Sequence, residues 1–140
     1  MKNMQERIER LKEKGIVLTI QRLAVLEFLV ENCTHPTVDD IYKSLKEKYP
    51  TISQATIYSC LELLRDAGEI QELSIHRDKA CFDPNLRMHH HFFCKQCEKI
   101  FDVNIECPVS MQGWFDGNKV EEVQAYLYGV CEECRKKEGG

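Results

Sequence analysis

Apolar residues recur at helical spacing through the first half of the chain. Met4 to Glu13 is charged, with Ile8 and Leu11 as its apolar positions, and Gly15 breaks it. From a cap at Thr19 to about Asn32, Leu23, Leu26, Leu29 and Val30 share one helical face, which Ala24, Val25 and Phe28 widen. His35-Pro36 interrupts. Thr37 then caps a third helix, with Asp39 and Asp40 in the first turn, where the helix dipole favours negative charge. Its apolar positions are Val38, Ile41, Tyr42 and Leu45, and it should end near Tyr49-Pro50. Ser53 caps a fourth helix through Ala67, with Gly68 where a C-terminal glycine belongs.

After Gly68 the period shortens. Ile70, Leu73 and Ile75, then Ala80-Cys81-Phe82, read as two short strands joined by the polar turn His76-Arg77-Asp78-Lys79. Helices followed by a two-stranded hairpin is the order of a winged helix-turn-helix, in which the helix before the wing enters the DNA major groove. That helix is Ser53–Ala67. Periodicity alone also fits a plain helical core. Asp83-Pro84-Asn85 reads as a hinge between two domains.

The second half has a different grain. His89 to Asp102 reads as two short strands around Cys94-Lys-Gln-Cys97. Pro108 to Phe115 reads as a short helix, and Lys119 to Val130 as β-rich, with Val120, Val123, Tyr126 and Tyr128. The chain closes on Cys131-Glu-Glu-Cys134 and a polar tail, Arg135 to Gly140, expected to be mobile.

Composition narrows the class. Of 140 residues, 43 % are hydrophobic and 30 % charged, a mix that builds a core. No apolar run approaches the ~20 residues that span a bilayer, and Met1 to Lys14 lacks a signal-peptide stretch. The expectation is a soluble cytoplasmic protein with no membrane partner. Net charge is −4, unlike a strongly basic nucleic-acid binder, although residues 1–22 carry a local excess of Lys and Arg.

Eight cysteines are many for a reducing compartment, where clustered thiols more often bind metal than form disulfides. Cys94-x-x-Cys97 and Cys131-x-x-Cys134 form the strongest chemical signal. Four thiolates satisfy a tetrahedral zinc ion completely, which makes such a site structural and its binding free energy part of folding. The alternative, a redox CxxC, needs a βαβ context that the pattern does not supply. Cys33, Cys60, Cys81 and Cys107 have no spacing that names a role, so they default to small buried hydrophobes.

A second cluster uses harder donors. On a strand, His89 and His91 share a face while His90 points away. Asp83 precedes them, Asp102 follows the CxxC turn, and His35 lies across the hinge, where a lone histidine is ordinarily a helix flank. Imidazole and carboxylate without thiolate suit Fe²⁺, Mn²⁺ or Zn²⁺.

Five segments now add up to a family likeness: Leu18-Thr-Ile-Gln-Arg22, His35-Pro-Thr-Val-Asp-Asp-Ile-Tyr42, Ser53-Gln-Ala-Thr-Ile-Tyr58, His89-x-His91-x-x-Cys94-x-x-Cys97 and Tyr128-Gly-Val-Cys-x-x-Cys134. From about Leu11 to Cys134 the chain resembles the ferric uptake regulator superfamily of metal-dependent bacterial repressors, and within it the peroxide-responsive branch. The resemblance implies an α+β fold. An N-terminal winged helix-turn-helix domain (1–82) is followed by a small α/β dimerisation domain (83–140) with a structural zinc site.

It implies a homodimer on double-stranded operator DNA with inverted-repeat symmetry, and no enzymatic activity. Cys94, Cys97, Cys131 and Cys134 match the structural zinc ligands, one ion per subunit. His35, Asp83, His89, His91 and Asp102 match the regulatory site for Fe²⁺ or Mn²⁺, again one per subunit. By the same likeness, His35 and His89 are the imidazoles oxidised when iron meets hydrogen peroxide. Aspartate at 102, where iron-uptake regulators usually carry glutamate, favours the peroxide branch over an iron- or zinc-responsive uptake regulator. Arg22 and Tyr58 match positions near DNA, and Gln54, Thr56 and Ser59 are candidates for base contacts.

The chain departs from the family at several places. Ile20 stands where proline is usual, and Ser59-Cys60 where basic or amide residues are common. Pro108 to Gly117 is short for the dimerisation helix, and Glu121-Glu122 replace a frequent histidine, which argues against an additional metal site. The rival readings are a metalloenzyme with an open His/Asp site and a zinc-stabilised adaptor without DNA binding.

Overall fold

The computed structural model describes residues 4–32, 34–76, 78–85, 90–105 and 112–138. The chain divides into two compact units, Met1–Leu86 and Arg87–Gly140.

The N-terminal unit is helical. α1 (Met4–Glu13) buries Leu11 and, unexpectedly, Arg7. α2 (Ile20–Glu31) starts at Thr19, whose hydroxyl accepts the Arg22 amide at 3.2 Å and so meets one of the N–H groups a helix start leaves over. α3 (Val38–Leu45) opens on a reciprocal cap: Asp40 N–H donates to the Thr37 hydroxyl at 3.2 Å, and Thr37 N–H to the Asp40 carboxylate at 3.0 Å. It is shorter than its apolar pattern suggests. Residues 46–48 continue as turns, with Tyr49 N–H on Leu45 O, so Tyr49 packs against the core from outside a helix.

α4 (Gln54–Asp66) is capped by Ser53 and buries Ile57, Cys60, Leu61 and Leu64, the i, i+3, i+4, i+7 stripe of an amphipathic helix. Gly68 follows in the left-handed region (φ +79°), which closes the helix at no side-chain cost. α4 packs against both α2 and α3. The shared core runs through Leu11, Val25, Leu26, Leu29, Ile41, Ile57, Leu61, Leu64 and Phe82.

A short hairpin completes the unit. β1 (Gln71–Leu73) pairs antiparallel with β2 (Cys81–Asp83), Gln71 opposite Asp83 and Leu73 opposite Cys81. Ile70 and Ile75 flank the ladder as buried anchors outside it. The other edge of β2 is lined by the segment before α3: Thr37 bridges Cys81, and Phe82 N–H donates to Pro36 O at 3.0 Å.

The C-terminal unit is built on a three-stranded sheet in the order β4-β3-β7. β3 (His90–Cys94) runs antiparallel to β4 (Ile100–Val103) and parallel to β7 (Tyr126–Gly129). β5 (Trp114–Phe115) and β6 (Asn118–Lys119) form a hairpin across Asp116-Gly117, both at positive φ (+50° and +79°), the backbone of the tight turn that matches strand twist. α5 (Glu132–Lys137) has acidic residues in its first turn and basic ones in its last, complementing its dipole.

Three expectations change here. Of the helix expected at Pro108 to Phe115, residues 108–111 lie outside the described residues and Gln112 is helical, but Trp114–Phe115 is strand, because Asp116-Gly117 is a strong hairpin turn. The β-rich stretch Lys119 to Val130 is strand only at Lys119 and Tyr126–Gly129, since adjacent Glu121 and Glu122 suit a sheet poorly. The polar tail is helical through Lys137. No helix among the described residues is long and apolar enough to cross a membrane.

Candidate metal centres

The parallel pairing of β3 with β7 builds the first centre. Register sets Cys94 opposite Gly129, so the turn after β3 and the start of α5 lie side by side, and Lys95 N–H ties them by donating to Gly129 O at 2.7 Å. Cys94 ends β3 and Cys97 lies in the turn that Glu98 closes in a left-handed conformation (φ +61°). Cys131 is the N-cap of α5 and Cys134 lies in its first turn. The four sulfurs all fall within 4.8 Å of one another. Cys97 Sγ and Cys131 Sγ are 3.8 Å apart, the edge of a tetrahedron with Zn–S bonds of about 2.3 Å.

The surroundings are those of a thiolate site. Cys94 Sγ accepts N–H groups from Cys97 at 3.5 Å and Cys131 at 3.3 Å, and these donors bring its pKa down to about 6. Hydrogen bonding to Cys131 and burial push Cys134 up to about 12. Four thiols this close cannot all ionise without a cation among them; a dication removes that conflict. Cys94, Cys131 and Cys134 are buried with Phe92 packed against them. The set fits a structural zinc ion with every position filled by protein.

The imidazole and carboxylate candidates form one pair in each unit. In the N-terminal unit, His35 Nε2 lies 3.3 Å from Asp83 Oδ2, and both residues are buried. The pairing follows from the Pro36–Thr37 segment running along β2, which sets His35 beside the strand's last residue. His35 is held at φ +56°, a conformation unusual for a residue with a side chain, and such strain concentrates at functional sites. In the C-terminal unit, His91 and Asp102 are cross-strand partners in the β3–β4 ladder, with Nε2 3.5 Å from Oδ1. His91 is 1 % exposed, while the Asp102 side chain is half exposed. These thiolate-free pairs fit a harder divalent metal such as Fe²⁺ or Mn²⁺. His89 lies outside the described residues. His90 is not turned to solvent; it is buried and its Nδ1 accepts the Ala125 amide at 3.1 Å, fastening the chain before β7.

Of the residues singled out for DNA, Gln54, Tyr58 and Ser59 are exposed on α4. Thr56 is half-buried, its hydroxyl 2.9 Å from the Ser53 hydroxyl. Gln54 donates to Asp39 at 3.2 Å, and Arg22 donates to Val17 O at 2.6 Å. Cys60 and Cys81 are buried and burial raises both thiols, Cys81 to about 11, as inert packing residues require. Cys33 and Cys107 lie outside the described residues. Sequence reasoning missed Arg7 and Glu69, a buried ion pair whose only local sign is Arg7 beside the apolar Ile8 and Leu11.

Comparison with known proteins agrees with this chemistry. Residues 13–113 match the ferric uptake regulator family. The chain is 40 % identical to the peroxide operon regulator of Bacillus subtilis over 138 residues, covering 96 % of this chain and 95 % of that one. It is 39 % identical over 140 residues to the peroxide-responsive repressor PerR of Staphylococcus aureus strain Mu50, covering 96 % and 93 %. Among solved structures it is similar to PerR from Streptococcus pyogenes, with 32 % identity, a TM-score of 0.55 and coverage of 92 % and 90 %. The ferric uptake regulator Fur of Helicobacter pylori shares the fold, with a TM-score of 0.78, 21 % identity and coverage of 96 % and 95 %.

Proposed function

The chain belongs to the ferric uptake regulator family of metal-responsive transcriptional repressors, and from that premise we propose that it is a dimeric DNA-binding repressor that senses peroxide through a regulatory Fe²⁺ or Mn²⁺. The observation that carries the reading is the matched pair of buried imidazole–carboxylate donors, His35 with Asp83 in one unit and His91 with Asp102 in the other, apart from a thiolate site already complete with four ligands.

By likeness to the family, occupancy of His35, Asp83, His89, His91 and Asp102 by the regulatory cation is the proposed switch. Two recognition helices of a dimer must meet two half-sites of an inverted repeat, so a ligand that selects one angle between domains changes DNA affinity without touching DNA. In this reading α4 is the recognition helix of a winged helix-turn-helix domain, with Gln54, Tyr58 and Ser59 facing bases, Thr56 and Arg22 nearby, and the β1–β2 hairpin as the wing. The lower positive charge of this helix face shifts weight from phosphate attraction to base contacts.

Ferrous iron held by these residues would catalyse the splitting of hydrogen peroxide, with the net transfer of one oxygen atom from peroxide to an imidazole carbon and the release of water. The chain's part is to offer His35 and His89 as the imidazoles of which one takes up that oxygen. An oxidised imidazole is a poorer donor, so the metal-bound domain arrangement loses its stabilisation and the dimer leaves its operator. Aspartates rather than longer glutamates hold the carboxylate oxygens close to the imidazoles.

DNA binding measured by gel shift with Mn²⁺ and with Fe²⁺, before and after peroxide, tests this. The expected result is binding with either metal, loss after peroxide with Fe²⁺ alone, and a gain of one oxygen atom on His35 or His89 by mass spectrometry. Retained binding of the iron form after peroxide, with both histidines unmodified, would instead make the protein an iron- or zinc-responsive uptake regulator.

A further inference from the structure

The charged helix α1 carries a buried cation that the functional reading does not use. Arg7 is 4 % exposed and Glu69, just past the α4 C-terminus, is 1 % exposed. Arg10 already forks onto this carboxylate, Nε to Oε2 at 2.7 Å and Nη2 to Oε1 at 2.8 Å. Arg7 is therefore a further cation beside a carboxylate that Arg10 already pairs. Its well-directed bonds go to backbone: Nη1 donates to Glu69 O at 2.9 Å and Nη2 to Pro84 O at 2.8 Å. A longer contact of 3.4 Å reaches Glu69 Oε1. Burying a guanidinium is costly unless its N–H groups meet partners, so what it holds is informative. It holds the carbonyl of the residue directly after Asp83.

The next residue is held too. Gln71 Nε2 donates to Asn85 O at 2.6 Å, and Gln71 stands opposite Asp83 in the β1–β2 ladder. Between these two gripped carbonyls, the Asn85 amide donates to Asp83 Oδ1 at 2.9 Å. The other carboxylate oxygen, Oδ2, is the one 3.3 Å from His35 Nε2. One oxygen of Asp83 is thus committed to the backbone and the other is aimed alongside the histidine.

We propose that Arg7, with Gln71, is a positioning residue for the regulatory metal: by clamping the Pro84–Asn85 chain to α1 and β1 it presets the Asp83 carboxylate as a one-oxygen ligand beside His35. The inference rests on the reading of His35 and Asp83 as metal ligands. The clamp lowers the ordering cost of binding, since the carboxylate need not be fixed when the cation arrives.

The test uses the full-length zinc-loaded protein and Mn²⁺ as the probe, titrated by electron paramagnetic resonance. Arg7→Met keeps volume and leaves Glu69 paired with Arg10; it is expected to weaken Mn²⁺ binding about tenfold, the usual scale for losing a partner that orients a ligand. Gln71→Met is expected to give a smaller loss, and Arg7→Lys to recover part of the Arg7→Met loss. In the metal-free protein both Met variants should speed exchange of the Asn85 amide while the β1–β2 ladder amides keep their protection.

Two controls separate the possible failures. Leu11→Ala destabilises the same helix without touching Pro84 and is expected to leave Mn²⁺ affinity unchanged; a loss equal to that of Arg7→Met would show general loosening and overturn the proposal. Asp83→Asn tests the underlying reading. If Asp83→Asn weakens binding while Arg7→Met and Gln71→Met bind as the parent does, the positioning role is refuted and the metal site stands. If Asp83→Asn itself binds Mn²⁺ normally, the metal reading fails and the positioning role with it. Should Arg7→Met not fold, the half-buried Gln71→Met decides alone.

Discussion

Removing zinc should unfold the C-terminal unit while leaving the N-terminal unit intact. The described buried residues of Arg87–Gly140 are Phe93, Cys94, Cys131, Cys134, His90 and His91. Three of these six are the thiols themselves and two are imidazoles, so among the described residues little fully buried apolar area drives folding. A unit of this length would ordinarily hold about 3–8 kcal/mol of stability. Structural zinc contributes on the order of 10–16 kcal/mol at neutral pH in small thiolate domains. The loss exceeds anything the sheet can retain, and the freed sulfurs would add their own repulsion as they ionise. The N-terminal unit loses nothing, since its core of Leu26, Leu29, Ile41, Ile57, Leu61 and Leu64 contains no zinc ligand.

The assay is hydrogen exchange read by mass spectrometry on protein stripped with chelator under reducing conditions, with zinc loss verified by elemental analysis. Amides of β3 and β7 should lose protection, while those of α2 and α4 keep it. Cys131→Ser should behave like the stripped protein. Retained protection in β3 and β7 at zero zinc would show that apolar packing, not thiolate ligation, holds this unit together, and would refute the reasoning.

Other perturbations have graded outcomes. Leu61→Ala, at a fully buried position on α4, should cost about 2–5 kcal/mol, read as a lowered denaturation midpoint of the N-terminal unit. Thr37→Ala removes one half of the α3 cap and should cost about 1 kcal/mol by thermal melting, with Mn²⁺ affinity as a sensitive second readout because His35 lies two residues upstream. The hydrogen bond from Arg10 holds the Glu69 carboxyl below its ordinary value of 4.5, so the stability it contributes is present above that value and is lost as pH falls through the lower native one. Glu69→Gln should therefore be destabilised at neutral pH, and its deficit against the parent should shrink on acidification; a deficit that stayed constant from neutral to acid pH would count against the ion pair.

The helices were legible because their signals are local. Thr19, Thr37 and Ser53 each cap within one turn, and the apolar stripe of α4 repeats within the reach of a single helix. The length of α3 was less legible, since Tyr42 and Tyr49 read alike in a periodic pattern although only the first is helical. At the end of the helix expected at Pro108 to Phe115, the turn dipeptide Asp116-Gly117 sets Trp114–Phe115 as strand instead.

Residue chemistry by itself determined which groups could bind which metal: sulfur pairs for zinc, imidazole with carboxylate for a harder ion. Tertiary structure alone decided how those groups meet. Parallel pairing of β3 with β7 joins the two CxxC turns, and the run of Pro36–Thr37 along β2 brings His35 to Asp83. The same is true of the Arg7 clamp on Pro84, whose two ends are distant in the chain. Capping and periodicity act over a few residues, so they are written in short words of sequence. Strand partnership and the burial of an ion pair depend on which distant surfaces close together, and only the folded chain states that.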